Sequence, residues 1–509
     1  MTPHILKAIF APLLLIISVS IEATTVDMPP PTKNFNLRTL QNNQTYRGIL
    51  INYRVGSSMR GHASSVEANV DAAAGHASLS AAIALHAHYV RQLATGAELV
   101  HMNRDLSASE TEALIRQIAA DPAVKYVEPE YLMKLDDISL PVDLDLGFPR
   151  YQWDYLQANG AGFLDDSLRT SVPDWGGAEI QHAWQLSNGA GITIASLDTG
   201  VTVHPDLDLS LANAGYDFIS SADISGRPAD GRIPGGWDTG DWETAGECGE
   251  GAAAKNSSWH GTHVFGTVGG ELTNNILGLS GTAYGAQVVP IRVVGHCGGS
   301  NADIADAIVW ASGGSVPGVP ANRHPAQVLS LSLGGQGTCD PDGALGQAIS
   351  AALGRGAVVV VAAGNANVDV STVEPANCSG VVSVAAVGIS SQRAFYSDYG
   401  AVTLAAPGGD RTSPTSGFIW SAFNSGTTVP GTPSYHGSVG TSQATPHVAG
   451  IVAMMQSYRL ILRKQLLTPA KVIALLQSTA TPPNVTPDKP IGAGIVNGYR
   501  AVQAAGSQP

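Results

Sequence analysis

Five short runs, at residues 191–197, 287–294, 328–333, 357–363 and 381–387, are almost wholly apolar and rich in β-branched side chains. A strand with one wet face alternates apolar and polar residues. A run that is apolar throughout needs cover on both faces, as strands of a parallel sheet have. Helical stretches are expected between and beyond these runs, at 260–270, 302–311, 343–354, 442–457 and 468–478. Strand and helix in alternation specify an α/β domain with a parallel sheet and helices on both faces. In such sheets functional groups gather at the carboxyl ends of the strands.

This larger domain is expected over 150–505. Ahead of it, after a proline-rich stretch, residues 44–135 read as a second, smaller unit. Residues 46–55 and 98–102 have strand character, 64–93 is mostly helical, and 124–132 closes as a strand. Ser107 and Glu110 form a capping box that opens a helix reaching residue 120. The order fits a small ferredoxin-like α+β unit. Residues 136–149 are acidic, interrupted by proline and unpatterned, as a cleavable linker would be. Residues 1–23 carry Lys7 and then an apolar stretch too short to span a bilayer comfortably, which reads as a secretion signal.

A formal charge of −14, with only 13% charged residues, argues against nucleic acid or anionic lipid as a main partner. Four cysteines, Cys248, Cys297, Cys339 and Cys378, follow the secretion signal. An even count in that setting implies two disulfides, and three pairings are open. No Cys-x-x-Cys is present, which speaks against a zinc cluster.

Three segments each offer one part of a nucleophilic apparatus. Asp198 ends an apolar run and is followed by Thr-Gly. His260 opens His-Gly-Thr-His. Ser442 lies in Gly-Thr-Ser-Gln-Ala-Thr-Pro-His-Val-Ala-Gly at the start of a helix. A hydroxyl is a poor nucleophile at neutral pH and needs a base, which in turn needs a carboxylate to fix its tautomer. Taken singly, Asp198 reads as a turn residue and Ser442 as a helix cap; their co-occurrence is what counts. His263 reads as a structural histidine within the helix. Asn365, after the apolar run and Gly364, is placed to donate to an oxyanion together with the Ser442 backbone N–H. No Gly-x-Ser-x-Gly elbow surrounds Ser442, which weighs against a lipase or esterase. An inactive binding protein would lack one of these parts, and none is missing. An acyl-transfer enzyme making peptide bonds would share all of them.

These three segments resemble the signatures of the subtilisin-like serine proteases, over about residues 178–502. The resemblance implies a serine endopeptidase with the triad Asp198, His260 and Ser442, and a first unit that acts as an inhibitory propeptide removed autocatalytically. The cysteines and their flanks are similar to secreted proteases of Gram-negative bacteria, implying pairs Cys248–Cys297 and Cys339–Cys378. Export through the periplasm to the outside of the cell is implied, as a monomer acting on proteins and peptides. Ser332, Leu333, Gly334, Ala362 and Gly364 match walls of the primary substrate pocket, roomy enough for large apolar side chains, while Glu374 nearby could instead attract Lys or Arg. Structural calcium is implied, held by Asp206 and a loop including Thr273, Asn275, Leu277 and Leu279. A second acidic loop, 223–230, departs from the calcium pattern at Ser225 and Pro228. Gln443 stands where much of the family has Met, and Phe265 where Ala is usual, so that a ring must find room between helix and sheet.

Overall fold

The computed structural model describes residues 34–41, 44–77, 79, 85–133, 138–139, 151–165, 170–272, 278–410 and 417–509. The expected secretion signal and most of the expected linker lie outside these residues.

The smaller unit is built from β1 (Thr45–Tyr53), α1 (Ala63–His76), β2 (Ala87–Gln92), β3 (Glu98–Ser107), α2 (Ala108–Ala119) and β4 (Val124–Pro129). Its strands lie in the order β2-β3-β1-β4, each antiparallel to its neighbour, as a ferredoxin-like unit requires. Ser107 and Glu110 form the capping box at the start of α2. The helical expectation for 64–93 is corrected: the helix stops at His76, and Ala87–Gln92 is a strand. Nearly all of β2 is half-buried at the sheet edge, so the alternation that betrays a strand is blurred there.

β5 (Leu132–Met133) follows β4, and the elements of the larger unit then begin with β6 (Thr193–Asp198), β7 (Tyr216–Asp217), β8 (Ile233–Pro234), α3 (His260–Phe265), β9 (Gln287–Arg292) and β10 (Gly299–Ser300). They continue with α4 (Asn301–Ala311), β11 (Val328–Leu331), β12 (Gly335–Gln336), α5 (Ala344–Gly354), β13 (Val358–Ala362), β14 (Val373–Glu374) and β15 (Val382–Val387). Then come β16 (Leu404–Pro407), β17 (Ile419–Asn424), β18 (Pro433–Val439), α6 (Thr441–Ile461), α7 (Pro469–Thr479) and α8 (Gly498–Ser507). One sheet has the order β8-β7-β9-β6-β11-β13-β15-β16. All its neighbours are parallel except β7 and β8.

All five apolar runs are strands of this sheet, and the reason is visible in the packing. Leu197, Ile291, Leu331 and Val361 join Ile304, Ile308 and Leu345 of α4 and α5 on one face. Ile194, Val288, Val328 and Val360 join Val448, Ile451 and Val502 of α6 and α8 on the other. Neighbouring residues thus enter opposite cores, so neither parity of the strand can be polar.

The small unit sits over the amino ends of α4 and α5. Ala344 N–H, the first of α5, donates to Glu128 at 2.7 Å. Ser300, which caps α4, donates its hydroxyl to Glu130 at 2.6 Å. Anions at helix amino ends are favoured by the unpaired N–H groups there. Arg91 of β2 also pairs with Asp303 and Asp306 on α4, carboxylates shared with Arg232.

Candidate active site

Strand β6 delivers Asp198 to the carboxyl end of the sheet. Its Oδ1 accepts Thr199 N–H at 2.8 Å and lies 2.8 Å from His260 Nδ1. Both side chains are buried. Helix α3 is tied to the turn after β6: Gly261 N–H donates to the Thr199 hydroxyl at 2.8 Å, and Thr202 N–H to that of Thr262 at 3.0 Å. Trp259, just before His260, holds a left-handed φ of 51°, an unusual state for a bulky residue. Asp241 clamps this turn by accepting both the N–H and the hydroxyl of Ser258 at 2.7 Å, and the Ser258 hydroxyl accepts His260 N–H at 3.2 Å. Asp238 accepts the Thr199 hydroxyl at 2.6 Å; burial first, and Asp241 second, push its carboxyl up to about 7. These two aspartates had no distinguishing pattern in the sequence.

Strand β11 neighbours β6 with Leu331 opposite Leu197, so Ser332 comes level with Asp198. The Ser442 hydroxyl donates to the Ser332 carbonyl at 3.1 Å, and the Ser332 hydroxyl donates to the Ser442 carbonyl at 2.9 Å. The second bond exists because of Pro446, inside α6. Proline has no N–H, so the carbonyl four residues earlier, that of Ser442, lacks its helical partner and can accept from outside. Ser442 therefore stands in the first turn of α6, buried, above the strand beside Asp198.

Asn365 lies against the same helix end. Its Oδ1 accepts the N–H and hydroxyl of Thr441 at 2.9 and 3.0 Å, which fixes the amide and directs its NH₂ away from Thr441. Gly364 before it has φ of 110° and donates N–H to the Thr441 hydroxyl at 3.1 Å. A Cβ there would lie 2.2 Å from Asp398 Oδ2. Asp398 in turn accepts Ala366 and Val368 N–H groups at 3.1 and 2.8 Å. Thr441 and Asp398 thus shape the loop, and sequence reasoning passed over both.

The expected pocket residues follow the ends of two strands: Ser332, Leu333 and Gly334 continue from β11, while Ala362 ends β13 and Gly364 follows it. Beyond them β12 pairs with β14, Gly335 opposite Glu374. Two stretches preceding the large domain run beside the site. Leu132–Met133 pair antiparallel with Gly299–Ser300, and Ile138–Ser139 with Ser438–Val439, just before Ser442. The second pairing falls inside the stretch expected to be an unpatterned linker.

His263 is structural, as expected: its buried Nε2 reaches the carbonyls of Ile419 and His436, each at 3.2 Å. Burial first, then His436 and His260, push it down to about 3. Phe265 finds its room over Gly270, where a Cβ would meet the ring at 2.4 Å. Cys248–Cys297 and Cys339–Cys378 are bonded, at sequence separations of 49 and 39. Each such closure contributes about 4 kcal/mol on the chain-entropy account.

Of the expected calcium ligands, Thr273, Asn275 and Leu277 lie outside the described residues. Asp206 is buried and its Oδ2 accepts Leu279 N–H at 3.0 Å and the Tyr435 hydroxyl at 2.9 Å. Glu271, close by, is pushed up to about 8 by burial and then by Asp206. Clustered hard oxygens in need of positive charge fit calcium. At the second loop the residues do not fit a metal. The guanidinium of Arg227 donates to Asp217 and to the carbonyls of Ile219 and Gly231, and Asp230 caps Ala222 N–H at 2.7 Å. An arginine fills the oxygen cage.

A parallel sheet with an aspartate, a histidine and a helix-borne serine at its carboxyl edge defines a class of α/β serine hydrolase. A family model described as the subtilase family matches residues 189–494. The chain is 43% identical over 479 residues to an extracellular protease of Xanthomonas campestris pv. campestris, covering 94% of this chain and 76% of the relative. It is 36% identical to an extracellular basic protease of Dichelobacter nodosus, covering 82% of this chain and 64% of the relative. A solved protease of Pseudoalteromonas arctica PAMC 21717 aligns at 42% identity and TM-score 0.62, over 70% of this chain and 98% of that one. The chain belongs to the subtilase family and is a subtilisin-like serine endopeptidase.

Proposed function

We propose that the protein is a secreted endopeptidase made as an autoprocessed zymogen, with Asp198, His260 and Ser442 as its triad. The Ser442 hydroxyl turns from the Ser332 carbonyl to His260, which takes its proton as the oxygen attacks a peptide carbonyl. Asp198 holds the imidazole by Nδ1, so that the other nitrogen is the base, and offsets the positive charge that develops. The Asn365 amide and the Ser442 N–H, which has no helical partner in the first turn, receive the oxyanion. His260 returns the proton to the leaving amine, and water then releases the acyl group by the reverse path. The reading rests above all on the 2.8 Å Asp198–His260 contact beside the strand whose end carries the Ser442 contact.

Substrate lies as an added strand between 298–301 and 333–335, with broad specificity and a preference for large apolar side chains before the scissile bond. The first unit acts as intramolecular inhibitor because its exit segment occupies that place: residues 132–133 pair on one side of Ser442 and 138–139 on the other. N-terminal sequencing should therefore find the maturation cut between these two pairings, upstream of most of 136–149. Calcium, held by Asp206 and the 273–279 loop, supplies charge that fixes this corner of the fold. The protein acts as a monomer outside the cell.

The decisive variant is Ser442→Ala. It should accumulate as a folded, unprocessed precursor that hydrolyses neither casein nor a chromogenic peptide. Ordinary turnover by that variant would end the triad assignment.

A further inference from the structure

Tyr131 directly precedes the strand that runs through the cleft. Its carbonyl accepts Asn301 N–H at 3.0 Å and its N–H donates to Asn301 Oδ1 at 3.2 Å. Two residues on, Met133 is opposite Gly299. On the other side, a Cβ on Gly335 would lie 3.7 Å from the Met133 side chain. The backbone is thus paired along 299–301 and packed close to Gly335, and any peptide laid along the same strand puts a side chain where that of Tyr131 goes. That side chain is buried, and its hydroxyl donates to the Glu374 carboxylate.

We infer that Glu374 determines specificity at this position, making the cleft select a hydroxyl-bearing aromatic side chain, tyrosine, two residues before the one that pairs with Gly299. The inference rests on the endopeptidase reading and adds a substrate class to it. Glu374 is buried, and its carboxylate sits near the Cys339–Cys378 sulfurs. The Tyr131 hydroxyl donates to that carboxylate. The Tyr131 ring belongs to the same apolar cluster as Leu333, Val373 and Cys378. An aromatic body fills such a space, and its polar tip satisfies the acid at the end. Phenylalanine fills it equally but leaves the carboxyl group facing carbon, and a buried acceptor without its donor is costly. A lysine or arginine would bring a full charge into the cluster. Burial, and then the charge of Asp340, push the Glu374 carboxyl up to about 7, so the acid is a weaker partner for a cation than an exposed glutamate.

The test uses the processed enzyme and quenched peptides carrying residues 128–143, with Tyr, Phe, Leu or Lys at the place of Tyr131. Cleavage is followed as kcat/KM, with the cut located by mass spectrometry. The Tyr peptide should exceed the Phe peptide by about tenfold, the size expected for a hydrogen bond to a carboxyl group. In Glu374→Leu this ratio should fall to about one while the Phe peptide is still cleaved. Equal rates for Tyr and Phe in the unaltered enzyme, preference for Lys, or an unchanged ratio in Glu374→Leu would each overturn the inference alone. Should that variant fail to fold, the comparison in the unaltered enzyme still decides. If neither casein nor any peptide is hydrolysed, the endopeptidase reading falls and takes the inference with it.

Discussion

His260 and His447 are both buried, and each faces an aspartate at nearly the same distance, 2.8 Å to Asp198 and 2.7 Å to Asp154. Their second nitrogens differ. His447 sits in the body of α6 with Nδ1 against the Gln443 carbonyl at 2.8 Å, so both its nitrogens are engaged by oxygen partners inside the fold. Its ring also meets Tyr155 edge-on. His260 spends Nδ1 on Asp198 and opens α3 at the edge of the cleft. On the proposed mechanism the same residue pair serves as a rivet in one place and as a base with its orienting group in the other. A carboxylate beside an imidazole therefore does not define catalysis; the use of the remaining nitrogen does.

The comparison can be broken by exchanging each carboxylate for its amide. Asp198→Asn should lower kcat/KM by about 10⁴-fold, because an amide holds the imidazole in the wrong tautomer, with a fall in melting temperature no larger than that of Asp154→Asn. Asp154→Asn should lower the melting temperature alone. Disturbing a buried imidazole's hydrogen bond to its carboxylate costs about 1–3 kcal/mol, seen as a fall in denaturation midpoint, with kcat/KM per folded molecule nearly retained. If Asp154→Asn were as inactive as Asp198→Asn at unchanged stability, the two pairs would not differ in the way described.

A third histidine sharpens the contrast with a smaller effect. His263 is one turn along from His260 but faces carbonyls, and burial first, then the neighbouring His436 and His260, push it down to about 3. His436 is pushed down to about 4 by burial. Their ordinary value is about 6.5. In this window the unfolded chain binds protons that the folded one refuses. Stability is thus fully present above 6.5 and is lost progressively as pH falls towards 4 and 3. The denaturation midpoint of the inhibited, processed enzyme should fall between pH 7 and 5, and less so in His436→Phe. A midpoint that rises over that interval would show that these imidazoles are not held neutral.

Much of this was legible before any coordinates. The five apolar runs could only be doubly covered strands, because both parities are apolar, and so the sheet and its functional edge followed. Asp198, His260 and Ser442 stood out because each lies at the end or start of an expected element and together they supply a carboxylate, an imidazole and a hydroxyl. Asp154, Asp241 and Asp398 did not. Each carboxylate accepts from groups brought to it by folding, and in sequence it looks like any aspartate in a turn. Strand β2 was hidden because a half-buried edge strand has no clear alternation. Tyr131 and Glu374 lie 243 residues apart in the chain, and neither has a local pattern that announces the other.

The guanidinium of Arg227 has one more implication. Its charge is covalently part of the chain and cannot be drawn off into solution as a bound ion can. The corner formed by 217–231 consequently carries its own counter-ion, and its shape is indifferent to how hard or soft the surrounding water is. On the proposal that calcium sits at the Asp206 corner, a chelator added to the medium acts there while this corner stays put, so ageing of the enzyme in metal-poor solution should start on one side of the molecule only.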